Sequence, residues 1–240
     1  MSLALQQNLR ELLARVCDER EARALVLTAR GEAFCVGADL GDEGLAQLCD
    51  TTLGERVANA MHALSNRVVS DLRALPVPVV AAVNGATAGA GVGIALAADV
   101  VLAARSAYFY LPFMTKLGIV PDLGTTWFYD RLLGRGRATA LTLLGDRLSA
   151  EQAEKWGLVW ACVDDAALRG EALGIAQRLA RLPAHAALET RRAYDAAGRN
   201  TLDEQLQYEA ERQRELVDRP EFSEGVRAFI EKREPKFQPR

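Results

Sequence analysis

The sequence predicts an α/β fold, in which a buried sheet is covered by helices. Three apolar segments of strand length support this prediction: Ala24–Thr28, Val77–Gly85 and Asp99–Ala104. Each is almost continuously apolar rather than alternating, which is typical of strands buried on both faces. Helix-like segments lie before, between and after these strands, and that alternation is the pattern of α/β proteins.

The first element is predicted to be an amphipathic helix, because apolar residues recur at helical spacing from Leu5 to Val16. This segment lacks the features of a signal peptide. The first strand leads into the loop RGEAFCVGADL, and the second strand leads into the small-residue stretch ATAGAGVGIALAAD. The third strand, DVVLAA, follows that stretch.

The second half of the chain is predicted to be mainly helical. Ser149 and Gln152 have the spacing of a capping box, which indicates a helix start. From Ala166 onward the pattern is helical, with breaks at Pro183 and Pro220 among others. We therefore predict a core over residues 1–180 and a helical oligomerisation region over residues 181–240.

Composition narrows the function classes. The chain has 240 residues, half of them hydrophobic, and a net charge of -3, which argues against nucleic acid as the main partner. No apolar run reaches the roughly 18 residues of a membrane span. The four cysteines show no CxxC pair, which favours a reduced cytoplasmic location. The sequence has only two histidines, His62 and His185, which argues against a histidine-based zinc site or a Ser–His triad.

Two loops of small residues follow predicted strands. One is Cys35–Leu40 and the other is Asn84–Gly93. Glycine and alanine allow a ligand to approach the backbone, and a helix start offers unpaired N–H groups. A dinucleotide fingerprint would require glycine at Ile94, and no Walker lysine follows. Tight helix–strand packing remains a second explanation for these glycines.

Four segments in order resemble the crotonase (enoyl-CoA hydratase/isomerase) superfamily: AFCVGADL, PVVAAVNGATAGAGVGIALAADVVLAA, KLGIVPDLGTTW and LLGDRLSAEQAEKWGLVW. The resemblance covers nearly the whole chain. It implies a spiral of repeated ββα units with C-terminal helices that form a homotrimer or a dimer of trimers. It also implies an acyl-CoA substrate, with coenzyme A as part of that substrate and no metal or redox cofactor.

In this superfamily two backbone N–H groups bind the thioester oxygen, and the matching positions here are Ala38 and Ala90. Such preorganised donors stabilise an enolate as its charge develops. The resemblance also implies a set of substrate-binding residues around them: Val36, Gly37, Asp39, Leu40, Gly89, Phe113, Leu117 and Thr125. Phe229 and Lys232 resemble C-terminal residues that touch CoA, although a solvated helix face explains them equally well.

The acids differ from those of the hydratases. The first hydratase glutamate would fall at Gly93, and the second would fall within Pro112–Lys116, a stretch that has no carboxylate and is one residue longer than the family pattern. Asp122 remains, at the position where the allylic isomerases carry their base. An N-cap role is the competing interpretation of an aspartate that follows proline at a helix start.

Within the superfamily, the stretches GIVPDLGTTWFYDRLLGRGRATALTLLGDRLSAEQAEKWGLVWACVDD and EFSEGVRAFIEKREPKF resemble the phenylacetate-pathway isomerases of 1,2-epoxyphenylacetyl-CoA. Thr125 departs from them, because a glycine is usual there, and it is expected to narrow the acyl pocket. Family members usually carry a further strand and turn ahead of Ser2. We therefore expect an N-terminal strand to be missing here.

Three hypotheses follow from the sequence. The first is an acyl-CoA thioester isomerase with Asp122 as its single base. The second is an enoyl-CoA hydratase that draws its acid from Glu32 or Asp39. The third is a non-catalytic acyl-CoA-binding or subunit-assembly protein.

Overall fold

The computed structural model of the chain describes residues 1–39 and 51–238. Within this part the strands form two four-stranded sheets, in the orders β1-β3-β5-β8 and β2-β4-β6-β7. Only the β6–β7 pair is antiparallel. The strands are β1 Leu25–Leu27, β2 Ala33–Cys35, β3 Val79–Val83, β4 Ala86–Ala88, β5 Val100–Ala104, β6 Tyr108–Tyr110, β7 Leu148–Ser149 and β8 Ala161–Val163.

The helices surround these sheets and dominate the end of the chain. They are α1 Leu3–Glu19, α2 Leu53–Ala60, α3 Asn66–Ala74, α4 Ala90–Leu96, α5 Thr125–Leu133, α6 Arg135–Leu144, α7 Ala150–Lys155, α8 Leu168–Leu179, α9 Ala186–Ala197, α10 Leu202–Val217 and α11 Pro220–Ile230. Two further segments are π-helical turns, Met61–Ser65 and Phe113–Leu117. No helix in the described residues is long and apolar enough to cross a membrane.

Consecutive strands pass from one sheet to the other, so each turn of the chain contributes one strand to each sheet. The pairs β1–β2, β3–β4 and β5–β6 repeat this step, and helical segments follow each pair. This arrangement confirms the predicted spiral of ββα units. β3 lies inside the first sheet and all five of its residues are buried, which explains its uninterrupted apolar sequence.

The first two turns of the spiral are in close contact at Asn84 and Gly85. The Asn84 side chain accepts a hydrogen bond from the N–H of Ala29 at 3.3 Å and donates to the carbonyl of Gly31 at 2.9 Å. A Cβ atom on Gly85 would lie 2.0 Å from the Glu32 carbonyl oxygen. The Asn-Gly pair therefore joins two turns at a spacing that only glycine allows.

The last three helices, α9–α11, fall in the predicted C-terminal region. Arg191 on α9 is 5% exposed and holds this region to the core. Its guanidinium donates to Asp99 at 2.7 Å and to the carbonyls of Leu75 and Val77 at 2.5 and 3.0 Å. By contrast, α10 contributes no buried residue. The boundary at residue 180 and the oligomerisation role stay predictions.

Candidate active site

The two small-residue loops meet because the strands before them are neighbours. β2 and β4 pair in parallel, so their carboxyl ends lie at the same edge of the second sheet. Gly37 and Gly89 have φ angles of 101° and 54°, in the region that favours glycine. A Cβ atom on Gly37 would lie 3.7 Å from the Ala90 nitrogen. The backbones of the two loops are therefore in van der Waals contact.

Each loop presents an N–H group that has no acceptor among the described residues. Ala90 is the first residue of α4, so its N–H has no partner within the helix. The Ala38 N–H is also without an acceptor. Two free donors on touching loops have the character of an oxyanion hole, as the resemblance implies.

Asp122 lies just ahead of α5, but it does not cap that helix. The N-cap is Gly124, with no side-chain hydrogen bond, and the Thr125 N–H donates to the Asp122 backbone carbonyl at 2.9 Å. The Asp122 Oδ1 atom is buried without a hydrogen-bond partner. The N-cap interpretation is therefore wrong, and a buried unpaired carboxylate oxygen at this place requires a different explanation.

Burial also changes the acidity of this carboxyl group. Desolvation raises the pKa of Asp122 from its ordinary value of 3.8 to about 6, although a hydrogen bond from its own N–H partly opposes the shift. A carboxylate with a pKa near 6 is ionised at neutral pH yet remains a stronger base than an exposed aspartate. That balance suits a general base.

Gly93 on α4 holds the Asp122 loop in place. A Cβ atom on Gly93 would lie 2.3 Å from the Leu123 carbonyl oxygen, so no side chain fits there without displacing the loop. Leu123 itself adopts a positive φ of 47°, which is unusual for a leucine. The residue next to Asp122 therefore occupies the space that a glutamate at position 93 would need.

A cavity of about 80 Å³ connects these features. Four of the predicted residues line it together: Ala38, Asp39, Ala90 and Asp122. The other lining residues come from the chain start, the segment around the first π-turn, and the Asp122 loop. They are Met1, Leu3, Gln6, Val57, Ala60, Met61, Ser65 and Leu123.

The sequence analysis missed the contribution of α1 and the first π-turn. Gln6 shares the buried face of α1 with Leu9 and Leu13, and a polar residue on that apolar face was the available signal. Ser65 ends the first π-turn and is also buried. Pattern analysis from the sequence gives no indication of a π-turn, because its hydrogen bonds depend on the surrounding packing.

Other predicted residues near the loops have different positions. Phe113 is buried behind Gly89, where a Cβ atom on Gly89 would be 3.7 Å from its ring. Val36 and Leu117 are exposed. Leu40 lies outside the described residues. Phe113 begins the second π-turn, which accommodates the extra residue noted in this stretch of the sequence.

Thr125 is fully buried, but it is not among the residues that line the Asp122 cavity. It lines a larger neighbouring cavity of about 490 Å³, which does not include Asp122. The structure therefore does not support the expectation that Thr125 narrows the acyl pocket. Neither Ala38 nor Ala90 lines the larger cavity.

Phe229 and Lys232 lie at the end of α11 and just beyond it, and neither lines the Asp122 cavity. Phe229 is 85% exposed and borders an apolar groove formed by the C-terminal helices. A contact with CoA at these residues stays a prediction. Among the described residues, no group of three or more histidine, cysteine, aspartate or glutamate side chains could hold a metal ion.

Comparison with known proteins shows the family to which the chain belongs. A family model described as enoyl-CoA hydratase/isomerase matches residues 1–240. The chain belongs to this family, and the crotonase resemblance is confirmed. The crystal structure of an enoyl-CoA hydratase from Bacillus anthracis has a TM-score of 0.89 and 34% identity, covering 100% of this chain and 90% of that one.

Two curated relatives point to different reactions. The 1,2-epoxyphenylacetyl-CoA isomerase of Escherichia coli is 42% identical over 233 residues, which is 97% of this chain and 87% of that protein. A probable enoyl-CoA hydratase of Rhodobacter capsulatus is 44% identical over 220 residues, which is 90% of this chain and 81% of that protein. These similarities establish an enzyme family but do not choose between isomerisation and hydration.

Proposed function

We propose that this protein is an acyl-CoA thioester isomerase with Asp122 as its single base. The observation that carries the proposal is the half-buried Asp122, whose Oδ1 atom is buried without a partner, in the same cavity as Ala38 and Ala90. Asp122 removes a proton next to the thioester carbonyl, and the amides of Ala38 and Ala90 stabilise the resulting enolate. The protonated Asp122 then returns the proton to a different carbon, which moves the double bond.

The substrate is an acyl-CoA, and coenzyme A arrives as part of it. Similarity to the isomerase of Escherichia coli supports 1,2-epoxyphenylacetyl-CoA as one substrate. We expect a role in phenylacetate catabolism, with unsaturated acyl-CoAs of fatty acid metabolism as further substrates. We expect a cytoplasmic enzyme that requires no further cofactor. We also expect a homotrimer or a dimer of trimers, assembled through residues 181–240, with Phe229 and Lys232 near CoA.

Hydration is the second candidate, because Asp39 lines the same cavity as Asp122 and offers a second carboxylate. The other candidate from the sequence, Glu32, is exposed and does not line the cavity. Asp39 is also exposed, whereas Asp122 is largely shielded from solvent. The contact between Gly93 and Leu123 leaves no room for a glutamate at position 93, which favours isomerisation.

The test is a pair of assays on the purified protein. One follows a 3-enoyl-CoA that isomerises to the 2-enoyl-CoA, and the other follows crotonyl-CoA that takes up water. We expect isomerisation that depends on Asp122 and negligible hydration. Hydration that survives Asp122→Asn but is lost in Asp39→Asn would instead support the hydratase.

An isotope experiment tests the single base directly. A 3-enoyl-CoA that carries deuterium at C2 would transfer part of that deuterium to C4, because one carboxyl group removes and returns the same atom. Mass spectrometry of the product in ordinary water measures this transfer. Complete washout of the label together with full activity of Asp122→Asn would contradict the proposal.

A further inference from the structure

Gln6 is a buried polar side chain that the proposed reaction does not use. It lies on α1 and is 3% exposed, and its side chain lines the Asp122 cavity. Its backbone N–H donates to the Ser2 carbonyl at 3.2 Å, as expected early in a helix. The side-chain oxygen, Oε1, has no hydrogen-bond partner among the described residues. A buried amide oxygen without a partner is unfavourable.

Two residues that line the cavity therefore carry buried acceptors, Gln6 Oε1 and Asp122 Oδ1, which have no hydrogen-bond donor within the described part of the chain. Asp122 is explained by its role as a base. Gln6 cannot serve as a base, because a carboxamide does not ionise. It can accept a hydrogen bond through Oε1 or, after the amide turns over, donate one through Nε2. A polar group of the ligand is the partner that this chemistry fits.

The rest of the cavity wall shows where that polar group lies. The thioester oxygen is assigned to the N–H groups of Ala38 and Ala90, so Gln6 is available to another atom. Much of the remaining lining is apolar, including Leu3, Val57 and Met61. An unsubstituted hydrocarbon acyl chain would match those residues but would leave Gln6 unpaired. An acyl chain with an oxygen atom would satisfy it.

We propose that Gln6 is a specificity-determining residue, whose carboxamide hydrogen-bonds an oxygen atom carried by the acyl group beyond the thioester. The enzyme then prefers oxygen-bearing acyl chains to hydrocarbon chains of the same shape. This inference rests on the proposed function, because it assumes that an acyl-CoA occupies the Asp122 cavity. It adds a residue and a substrate class to that function.

The experiment measures binding, so it does not depend on turnover. Phenylacetyl-CoA and 2-hydroxyphenylacetyl-CoA differ by one hydroxyl group, which both donates and accepts hydrogen bonds. Their affinities are measured by calorimetry for the wild type, for Gln6→Met and for Gln7→Met. Methionine keeps the length of glutamine without its amide. Gln7 is the matched control, because it is exposed on the same helix and donates to Glu11 at 2.9 Å.

The wild type and Gln7→Met should bind the hydroxylated thioester about tenfold more tightly than phenylacetyl-CoA, the ratio expected for one hydrogen bond in a buried site. Gln6→Met should abolish this ratio and bind phenylacetyl-CoA at least as well as the wild type. Equal binding of the two thioesters by the wild type, or an unchanged ratio in Gln6→Met, would overturn the inference but leave the isomerase intact.

Two further results separate the inference from its alternatives. If the wild type bound neither thioester, the inference would fail, and the 3-enoyl-CoA assay would decide separately whether the proposed function stands. If Gln6→Met shifted the apparent pKa of the isomerisation rate, Gln6 would act on Asp122 rather than on the substrate, and the inference would be wrong. We expect the pH profile of Gln6→Met on a 3-enoyl-CoA to match that of the wild type.

Discussion

The two helices that follow the Gly89 and Asp122 loops begin differently from four other helices of the molecule. Four other helices, α1, α2, α7 and α10, start with a serine or threonine whose side chain accepts a backbone N–H, although residues of α1 and α2 also line the cavity. These caps are Ser2, Thr52, Ser149 and Thr201. At the site, α4 and α5 start instead at Gly89 and Gly124, with no side-chain cap.

This difference in capping separates polar groups that stabilise the fold from polar groups that remain available to a ligand. A capped helix start satisfies its own N–H groups and gains stability. The start of α4 leaves the Ala90 N–H available, and the loop before α5 leaves Asp122 Oδ1 unpaired. The two residues that carry these groups line one small cavity, so the stability lost there is consistent with binding and catalysis.

The largest predicted effect is on catalysis by Asp122. Replacing Asp122 with asparagine keeps the shape of the side chain but removes the base. We expect kcat for isomerisation of a 3-enoyl-CoA to fall by about 10²–10⁴-fold. Circular dichroism of the variant checks that it remains folded. An isomerisation rate equal to that of the wild type would show that another group removes the proton.

The same substitution should raise stability at high pH. The pKa of Asp122 is raised from 3.8 to about 6, so the folded state disfavours the charged carboxylate. Asp122→Asn removes that penalty above pH 6, and the difference should shrink as the pH falls from about 6 to about 4. Thermal melting of both proteins at pH 8 and pH 4 measures this. A lower Tm for the variant at pH 8 would contradict the assigned burial cost.

A smaller effect is expected from a methyl group on Gly93. In Gly93→Ala the new Cβ atom would approach the Leu123 carbonyl oxygen to 2.3 Å, so the Asp122 loop must move. Overpacking of this kind costs about 1–3 kcal/mol, and isomerase activity should fall with it. Urea denaturation and the isomerase assay measure the two losses.

The matched control is Gly174→Ala on α8. No atom lies within 4 Å of the position that its Cβ atom would take. Alanine is a better helix former than glycine, so this variant should gain about 0.5–1 kcal/mol. It should keep full activity. If Gly93→Ala behaved like Gly174→Ala, the contact between α4 and the Asp122 loop would not be required.

The smallest predicted effect is at a capped helix outside the site. Thr201 accepts the N–H of Glu204, and Glu204 accepts the N–H of Thr201 at 2.7 Å. Thr201→Ala should reduce the free energy of unfolding by about 1 kcal/mol without changing kcat. Urea denaturation and the isomerase assay check this. A loss of kcat would show that α10 contributes to the active site.

The fold could be predicted from the sequence because its elements have strong local patterns. The apolar runs at Val79–Val83 and Val100–Ala104 are buried parallel strands, as their composition indicated. The loops at Gly37 and Gly89 followed from small residues after strands. Their contact could be anticipated only through the family resemblance, because strand pairing is set by packing that is distant in sequence.

The parts that could not be predicted depend on tertiary packing. An N-cap role for Asp122 was reasonable from local sequence. However, Leu123 and Gly124 both adopt positive φ angles, and α5 begins only after them, so Gly124 is the N-cap instead of Asp122. Gln6 was missed because its significance depends on the cavity below α1. The buried position of Thr125 also depends on α5 packing, which a single sequence does not reveal.

The most direct test is the pH dependence of kcat/KM for isomerisation of a 3-enoyl-CoA, measured for the wild type and for Asp122→Asn. A base must be ionised to act, so kcat/KM should rise with pH and level off above an apparent pKa of about 6, the value that burial gives Asp122. The variant should lack this rise. A rise that persisted in Asp122→Asn would contradict the assignment of Asp122 as the base.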